Sequence, residues 1–390
     1  MTDAVIVSTA RTPIGRGRKG TLIGLDALQL AAIAVEAAIA RSGIPAADID
    51  DLVVAESLQG GGVIARNVAV RLGLTQVPGM ADNRHCAAGL SAVQIASAAI
   101  IAGMDDVVIA GGTESMTNMV MALRRAPFAT DAVPWIPESH PATPDAPPYD
   151  MSITVGHNTA REVGITRRDL DEWAVYTQNR AVESIDKGYF VDQIVSVEAP
   201  QADGSTVTFS VDEYPRRDTT LETLAALKPL HPEIEGFAIT AGNAAGINDG
   251  AAAVALTSSD YAAAHGLRAL ARIVSWASVG VEPARTGMGP TLAIPKALKR
   301  AGMSIGDVDL FEVNEAFNSV PIAAHRTLGI DPGIMNVNGS GCSLGHPIAA
   351  TGVRMVVTMI HELRRRGLAT GCVSMCAGGG MGGALVVELL

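Results

Sequence analysis

Apolar residues in this chain gather in short blocks that alternate between two periods. Val5 to Ser8 is an unbroken apolar-to-small run that predicts a buried strand. Asp26 then opens a helical pattern, with Gln29 three residues on as its capping-box partner and Gly43 as the stop. Leu52 to Ala55 predicts a second strand, Ala87 to Ala102 a helix of small apolar residues ending at Gly103, and Val107 to Ala110 a third strand closed by Gly111 and Gly112. Strands alternating with helices predict an α/β fold whose sheet is largely parallel and covered on both faces.

The pattern breaks near residue 120. Seven prolines fall between Pro127 and Pro148, with Trp135 and Tyr149 beside them, so this stretch is expected to leave the core as an irregular connection, a lid or a binding loop. Apolar alternation resumes over Phe237 to Leu256. An internal repeat organises the rest. RSGIPAADIDDLVVAE, Arg41 to Glu56, aligns without gaps on RAGMSIGDVDLFEVNE, Arg300 to Glu315, and VVIAGG, Val107 to Gly112, reads against SMCAGG, Ser374 to Gly379. Two related halves are expected: residues 1–260, carrying an inserted segment over about 118–240, and residues 261–390. A site at their junction would draw on both.

Composition narrows the function. The 390 residues are 48% hydrophobic but only 4% aromatic, so the core must be built from small aliphatic side chains and glycine. A net charge of -11 argues against binding to nucleic-acid phosphates, although Arg11, Arg16, Arg18 and the Arg216–Arg217 pair leave room for a small phosphorylated ligand. No apolar run reaches membrane-spanning length, and the first residues read as no secretory leader. A cytoplasmic protein is expected. Four cysteines in so long a chain do not make a disulfide scaffold, and no paired CxxC or HxxxH accompanies them, so no metal is expected.

Four places can carry chemistry. Cys86, in DNRHCAAGL, lies where a loop becomes a helix, where free backbone N–H groups and the helix dipole favour a thiolate; it reads equally as a small buried hydrophobe. His346, in the glycine-rich SLGHPIAATG, is placed before a helix expected to start near Pro347, and is either a base or a satisfied loop histidine. His85 is taken as structural. Cys376 ends an apolar strand and enters AGGGMGG, whose glycines suit an oxyanion hole or simply tight packing. Asn314 and Glu315 stand at a strand's end, where α/β sheets bind ligands or cap helices.

Together these segments resemble the thiolase family of 3-ketoacyl-CoA thiolases and acetyl-CoA acetyltransferases. The resemblance runs from ARTPIG at Ala10 to the C-terminus on five motifs: NRHCAAG around Cys86, GGTESM from Gly111, NEAF from Asn314, LGHP from Leu344 and CAGGGMG from Cys376. It implies a five-layered α/β/α/β/α fold of two repeated halves with an inserted loop domain, and an acyltransferase that cleaves 3-ketoacyl-CoA or runs the reverse condensation, as in fatty acid β-oxidation. It also implies that Cys86 is the acyl-accepting nucleophile, activated by His346. Cys376 would be the proton shuttle. Asn314, through a water, and the N–H groups of Cys86 and Gly378 would be the oxyanion donors. Coenzyme A enters as substrate, with no cofactor. Arg216, Ala245, Met151 and Phe317 are the implied substrate contacts, and a homodimer or homotetramer is expected.

The chain departs from the family pattern at Cys342, an extra thiol expected to pack, and at Ala245, which replaces a serine that bonds the pantetheine arm. Asp150 to Asn158 looks extended by an insertion. Asp150 and Thr286 replace His and Met of short-chain enzymes, which hints at a longer or bulkier acyl group. The alternatives are a 3-ketoacyl synthase-like condensing enzyme, against which the second cysteine argues, and a non-catalytic acyl-CoA or lipid binder of the same fold.

Overall fold

A computed structural model describes residues 2–390. The first half runs β1 (Ala4–Arg11), β2 (Gly15–Arg16), α1 (Ala27–Ser42), β3 (Asp51–Ala55), α2 (Ile64–Arg71), β4 (Met80–Asp82), α3 (Ala88–Ile101) and β5 (Val107–Ser115). An excursion follows, with an exposed hairpin of β6 (Ala122–Arg125) and β7 (Ala132–Trp135), then α4 (Asn158–Val163), α5 (Arg167–Asp186), a second hairpin of β8 (Val197–Pro200) and β9 (Thr206–Phe209), and α6 (Leu221–Ala225). The chain returns through β10 (Asn248–Ser258) and α7 (Ser259–Ala264). The second half is β11 (Ala271–Gly280), α8 (Gly289–Ala301), β12 (Leu310–Val313), α9 (Ser319–Leu328), α10 (Gly341–Leu344), α11 (Thr351–Arg366), β13 (Thr370–Ala377) and β14 (Met381–Leu389).

The local signals act as physical chemistry requires. Asp26 accepts from the Gln29 backbone and Gln29 answers to the Asp26 backbone, which satisfies two orphan donors at the start of α1. Gly43 closes that helix in the left-handed region at φ 72°, and Gly302 closes α8 at φ 69°. In both halves an aspartate from the linker after that helix ties down the start of a strand. Asp50 accepts from the Asp106 and Val107 backbones, and Asp309 from those of Ala369 and Thr370. The repeat is therefore a repeated hydrogen-bond device as well as a repeated spelling.

Nine strands follow one another in the order β12-β13-β14-β11-β1-β10-β5-β3-β4, with β2 on β10, and β1 joins the two half-sheets by pairing with β11. The expectation of a largely parallel sheet is corrected here. Only β3–β4, β3–β5 and β12–β13 are parallel; every other pair in this sheet is antiparallel. Parallel pairing requires a crossover helix, and β14 instead follows β13 through a tight turn, while β10 arrives from the excursion free of any such constraint. The second repeat match is also out of register. Asp51 faces Val108 and its equivalent Leu310 faces Gly371, so Val107 corresponds to Thr370 and not Ser374, a shift of four residues. Gly111 and Gly112 do not close β5 as expected but lie inside it, since the strand runs on to Ser115, whereas Gly378 and Gly379 follow the end of β13, so the two glycine pairs are not equivalent.

The buried aliphatics form layers. Leu30 and Val35 of α1 pack with Val54 and Ile109 on one outer face, and Ile294 and Leu298 of α8 with Phe311 and Val386 on the other. Leu90 and Val93 of α3 and Val353 and Val356 of α11 fill the middle, against Val108 and Leu385. Helix layers outside and between two half-sheets make the α/β/α/β/α sandwich.

Candidate active site

The middle layer decides where the chemistry sits. The helices α3 and α11 cross at Gly89 and Gly352: a side chain on Gly89 would strike Ala349, Gly352 and Val353, and one on Gly352 would strike Gly89 and Leu90. Glycine inside a helix costs about 1 kcal/mol relative to alanine. Here it lets two helices touch backbone to backbone close to their first turns. Cys86 precedes α3 and His346 precedes α11, so the crossing brings the two together from opposite halves of the chain.

His346 is 5% exposed, and burial, aided by the Arg354 charge, pushes it down to about 3, so it is neutral at rest. Its tautomer follows from one hydroxyl. Thr351 Oγ1 donates to the Pro347 carbonyl at 2.8 Å, so it must accept from His346 Nδ1–H at 2.7 Å. The proton is on Nδ1, and Nε2 keeps its lone pair, with the Asn314 amide Nδ2 at 3.4 Å. The His346 backbone N–H is held by Asn248 at 3.0 Å. The helix after His346 begins at Thr351, later than the expected start near Pro347, because residues 347–350 form a turn that sets this bond.

Cys86 is partly exposed as a residue, yet burial of its thiol pushes it up to about 11 against a hydrogen bond from the Gly378 backbone, with the buried Glu114 charge adding to the rise. His85, before it, adopts φ 47°, uncommon for a side-chain-bearing residue, and sits against Gly378. Cys376, 2% exposed at the end of β13, is pushed up by burial and by Cys86. Asn314 is fully buried directly after β12, its backbone N–H bonded to Ser374, and its Oδ1 has no protein partner. Glu315 is no ligand group. Four donors, from Trp173, Thr177, Asn336 and Cys342, hold its carboxylate.

Cys86, Gly378 and Cys376 thus form one cluster and His346 and Asn314 another; the two are tied through the crossing of α3 and α11 and through the Asn314 N–H on Ser374 of β13. The implied substrate contacts lie on the NEAF side. Phe317 belongs to the same apolar cluster as Met151 and pairs with Ala244, while the Ala245 N–H bonds to Ala316. Arg216 reaches the Ala241 carbonyl at 3.3 Å and stands 5.8 Å over Tyr214, whose hydroxyl accepts from Gly246. Ser152–His157 winds as a π-turn, a wider coil that houses an extra residue without breaking the helix that continues as α4. Asp150 is bonded by Ser152 and by His231 at 2.8 Å. Cys342 is 3% exposed and donates to the Glu315 carbonyl, so it packs as expected. Thr351, Asn248 and Glu114 were not singled out from the sequence. Glu114 lay inside the quoted GGTESM and Thr351 inside SLGHPIAATG with no role attached, and Asn248 acts across a contact that no local motif announces.

Residues 4–260 match the pattern of the thiolase N-terminal domain and residues 267–389 that of the thiolase C-terminal domain. The chain belongs to the thiolase family. It is 41% identical over 398 residues to an acetyl-CoA acetyltransferase of Cupriavidus necator and 39% identical over 411 residues to a 3-ketoacyl-CoA thiolase of Bacillus subtilis, covering all of each. The crystal structure of a human mitochondrial 3-ketoacyl-CoA thiolase in complex with CoA superposes with a TM-score of 0.91 at 34% identity, over 100% of this chain and 98% of that one. This thiolase is an acyltransferase by kinship, and its fold is the thiolase fold. Among its described residues no helix is long and apolar enough to cross a membrane.

Proposed function

We propose that this thiolase cleaves 3-ketoacyl-CoA thioesters, and makes them in reverse, through an acyl group carried on Cys86. The observation that carries the reading is the His346 tautomer: Nε2 keeps its lone pair 3.4 Å from the buried Asn314 amide, on the segment leading into the helix that crosses the one following Cys86. In cleavage, Nε2 takes the Cys86 proton as Sγ attacks the 3-keto carbon. The C2–C3 bond breaks and its electron pair leaves as the enolate of acetyl-CoA, which Cys376 protonates at C2. The Cys376 thiolate then deprotonates an incoming CoA thiol, whose sulfur takes the acyl group as the Cys86–acyl bond breaks, and Cys86 recovers its proton from His346 Nε2. Two half-reactions make the kinetics ping-pong.

Electrostatics fit each role. Once Nε2 carries the proton it becomes a donor, and with a water held by Asn314 it would stabilise the thioester oxygen; the N–H groups of Cys86 and Gly378 would serve the other oxyanion. Such a donor contributes about 3 to 4 kcal/mol to the transition state. A thiol pushed up, like that of Cys376, yields a strong base, which proton transfer at a weakly acidic carbon requires. Arg216, Ala245, Met151 and Phe317 would line the path of CoA and the acyl group, with CoA a substrate and no cofactor needed. Assembly as a homodimer or homotetramer and work in the cytoplasm complete the reading.

Thr286, fully buried and smaller than methionine, together with the π-turn Ser152–His157, favours an acyl group larger than acetoacetyl. The test is loss of 3-ketoacyl-CoA absorbance with added CoA, on acetoacetyl-CoA and a longer homologue side by side. Cleavage faster on the longer substrate, and absent in Cys86→Ala, is expected. Wild-type protein that cleaves neither would overturn the reading and favour the acyl-CoA binder.

A further inference from the structure

Glu114 takes no part in the steps above, yet it is fully buried at the end of β5. Its Oε1 accepts from the Leu58 backbone at 3.0 Å and the Gln59 amide at 2.6 Å, and its Oε2 from the Ala349 backbone at 3.0 Å. Ala349 lies between His346 and the Thr351 that fixes the imidazole tautomer. Its carbonyl is packed on by Gly89 of α3 and Gly112 of β5, where any side chain would collide with it. Ala349 is therefore held at both its polar groups, and Glu114 is the hydrogen-bonding half of the grip.

We propose that Glu114 is a positioning residue for the base His346, its ionised carboxylate holding the 346–351 turn through Ala349 N–H. The inference rests on the thiolase reading above. The charged and titratable groups around it are few: Glu56, from the end of β3, bonds Gln59 in the same loop; Cys86 stands at the start of α3; the residue opposite on β10 is Gly250. Burial lifts Glu114 to about 7, Glu56 adding to the rise against its three hydrogen bonds. All three partners are N–H donors. A protonated carboxyl must point its own hydrogen at one of them, so proton uptake breaks a bond in the grip. The acid limb of the rate profile then falls near neutrality and belongs to Glu114, because His346 and the cysteines titrate far from it.

The experiment uses Glu114→Gln and Gln59→Leu in the full-length enzyme, with steady-state cleavage measured from pH 5.5 to 9. The glutamine amide has one acceptor oxygen for two sites and turns NH2 toward a donor. A loss of about 10- to 100-fold in kcat is expected, in line with misplaced catalytic groups, with KM for CoA changed less than about twofold and the acid limb near pH 7 abolished. Gln59→Leu lies in a partly exposed loop, keeps the carboxyl and removes one bond to its charged form; the limb should move up by roughly half a unit to one unit. Hydrogen exchange of residues 346–351, which needs no substrate, should quicken in Glu114→Gln. A limb unmoved in both variants, or unchanged exchange in Glu114→Gln, overturns the proposal even if cleavage itself is confirmed. Wild-type protein without cleavage but with quickened exchange in the variant would instead sink the proposed function and keep the grip.

Discussion

The resting state of the nucleophile can be tested directly. Burial pushes the Cys86 thiol up to about 11 and His346 down to about 3, so the pair is neutral until substrate arrives. An ordinary thiol near 8.5 is about 3% thiolate at pH 7, whereas one near 11 is about 0.01%, roughly a 300-fold deficit. The rarer thiolate is the better nucleophile. With a Brønsted slope of about 0.45, 2.5 units return roughly 13-fold, leaving exchange with a small disulfide about 20-fold slower than for a free thiol. The assay is the pH dependence of mixed-disulfide formation by a small methyl disulfide reagent, with Cys86→Ala subtracted because three other cysteines are present. The logarithm of the rate should climb about one unit per pH unit through pH 10 without a plateau. A plateau with a midpoint at or below pH 8 would mean a resting thiolate–imidazolium pair, and the neutral-pair argument would be wrong.

Two further outcomes concern stability. Arg11 and Asp212, both buried, make a bidentate pair at 2.8 Å that ties β1 to the excursion, and Asp212 also takes the Ile14 N–H. Asp212→Ala strands the guanidinium and should cost about 3 to 5 kcal/mol in urea unfolding, while Arg11→Met with Asp212→Leu regains most of it; equal midpoints for wild type and Asp212→Ala would refute this. Two histidines are lowered furthest, the buried His346 to about 3 and the half-buried His361 to about 4, the latter through burial and then the Arg364 charge. Their folded values lie below the unfolded one near 6.5, so their stability is present above 6.5 and lost as pH falls toward 3, by about 4 kcal/mol between pH 7 and 5 for the pair. His361→Gln should shrink that loss by about half, and an undiminished loss would clear His361 of the effect.

Short-range signals were legible because each is settled within a few residues. The Asp26–Gln29 box, the helix stop at Gly43 and the Pro-rich departure near residue 120 stand where the pattern put them. Strand direction was not legible, since periodicity says which face of a strand is buried and nothing about which way its neighbour runs. Cys86, His346, Cys376 and Asn314 could be singled out because each stands at a helix start, a glycine-rich turn or a strand end, and their roles came from the thiolase resemblance. Thr351 and Glu114 were not, because a threonine opening a helix and a glutamate near the end of a strand have ordinary local explanations; Thr351 works on His346 only five residues away, through a turn whose shape the spelling does not give, and Glu114 on Ala349, far away in sequence.

The corrected register explains how one duplicated frame yields an asymmetric site. With Val107 matched to Thr370, α3 and α11 begin at matched positions, Ala88 and Thr351, and the crossing glycines Gly89 and Gly352 are themselves a matched pair. Cys86 is then matched by Ala349, and Glu114 by Ala377, the neighbour of Gly378. Each half sends the end of a strand to the helix start of the other. From the second half, Gly378 N–H reaches the Cys86 thiol; from the first, Glu114 reaches the Ala349 N–H. The same joint is used twice, once on a reactive sulfur and once on a peptide. A duplicated frame supplies two equivalent helix starts, but the groups on them need opposite surroundings: the thiol needs donors for the charge it will carry, and the turn bearing His346 needs an acceptor to stay in place. Exchanging a carboxylate for a backbone N–H at one matched joint meets both needs without altering the frame.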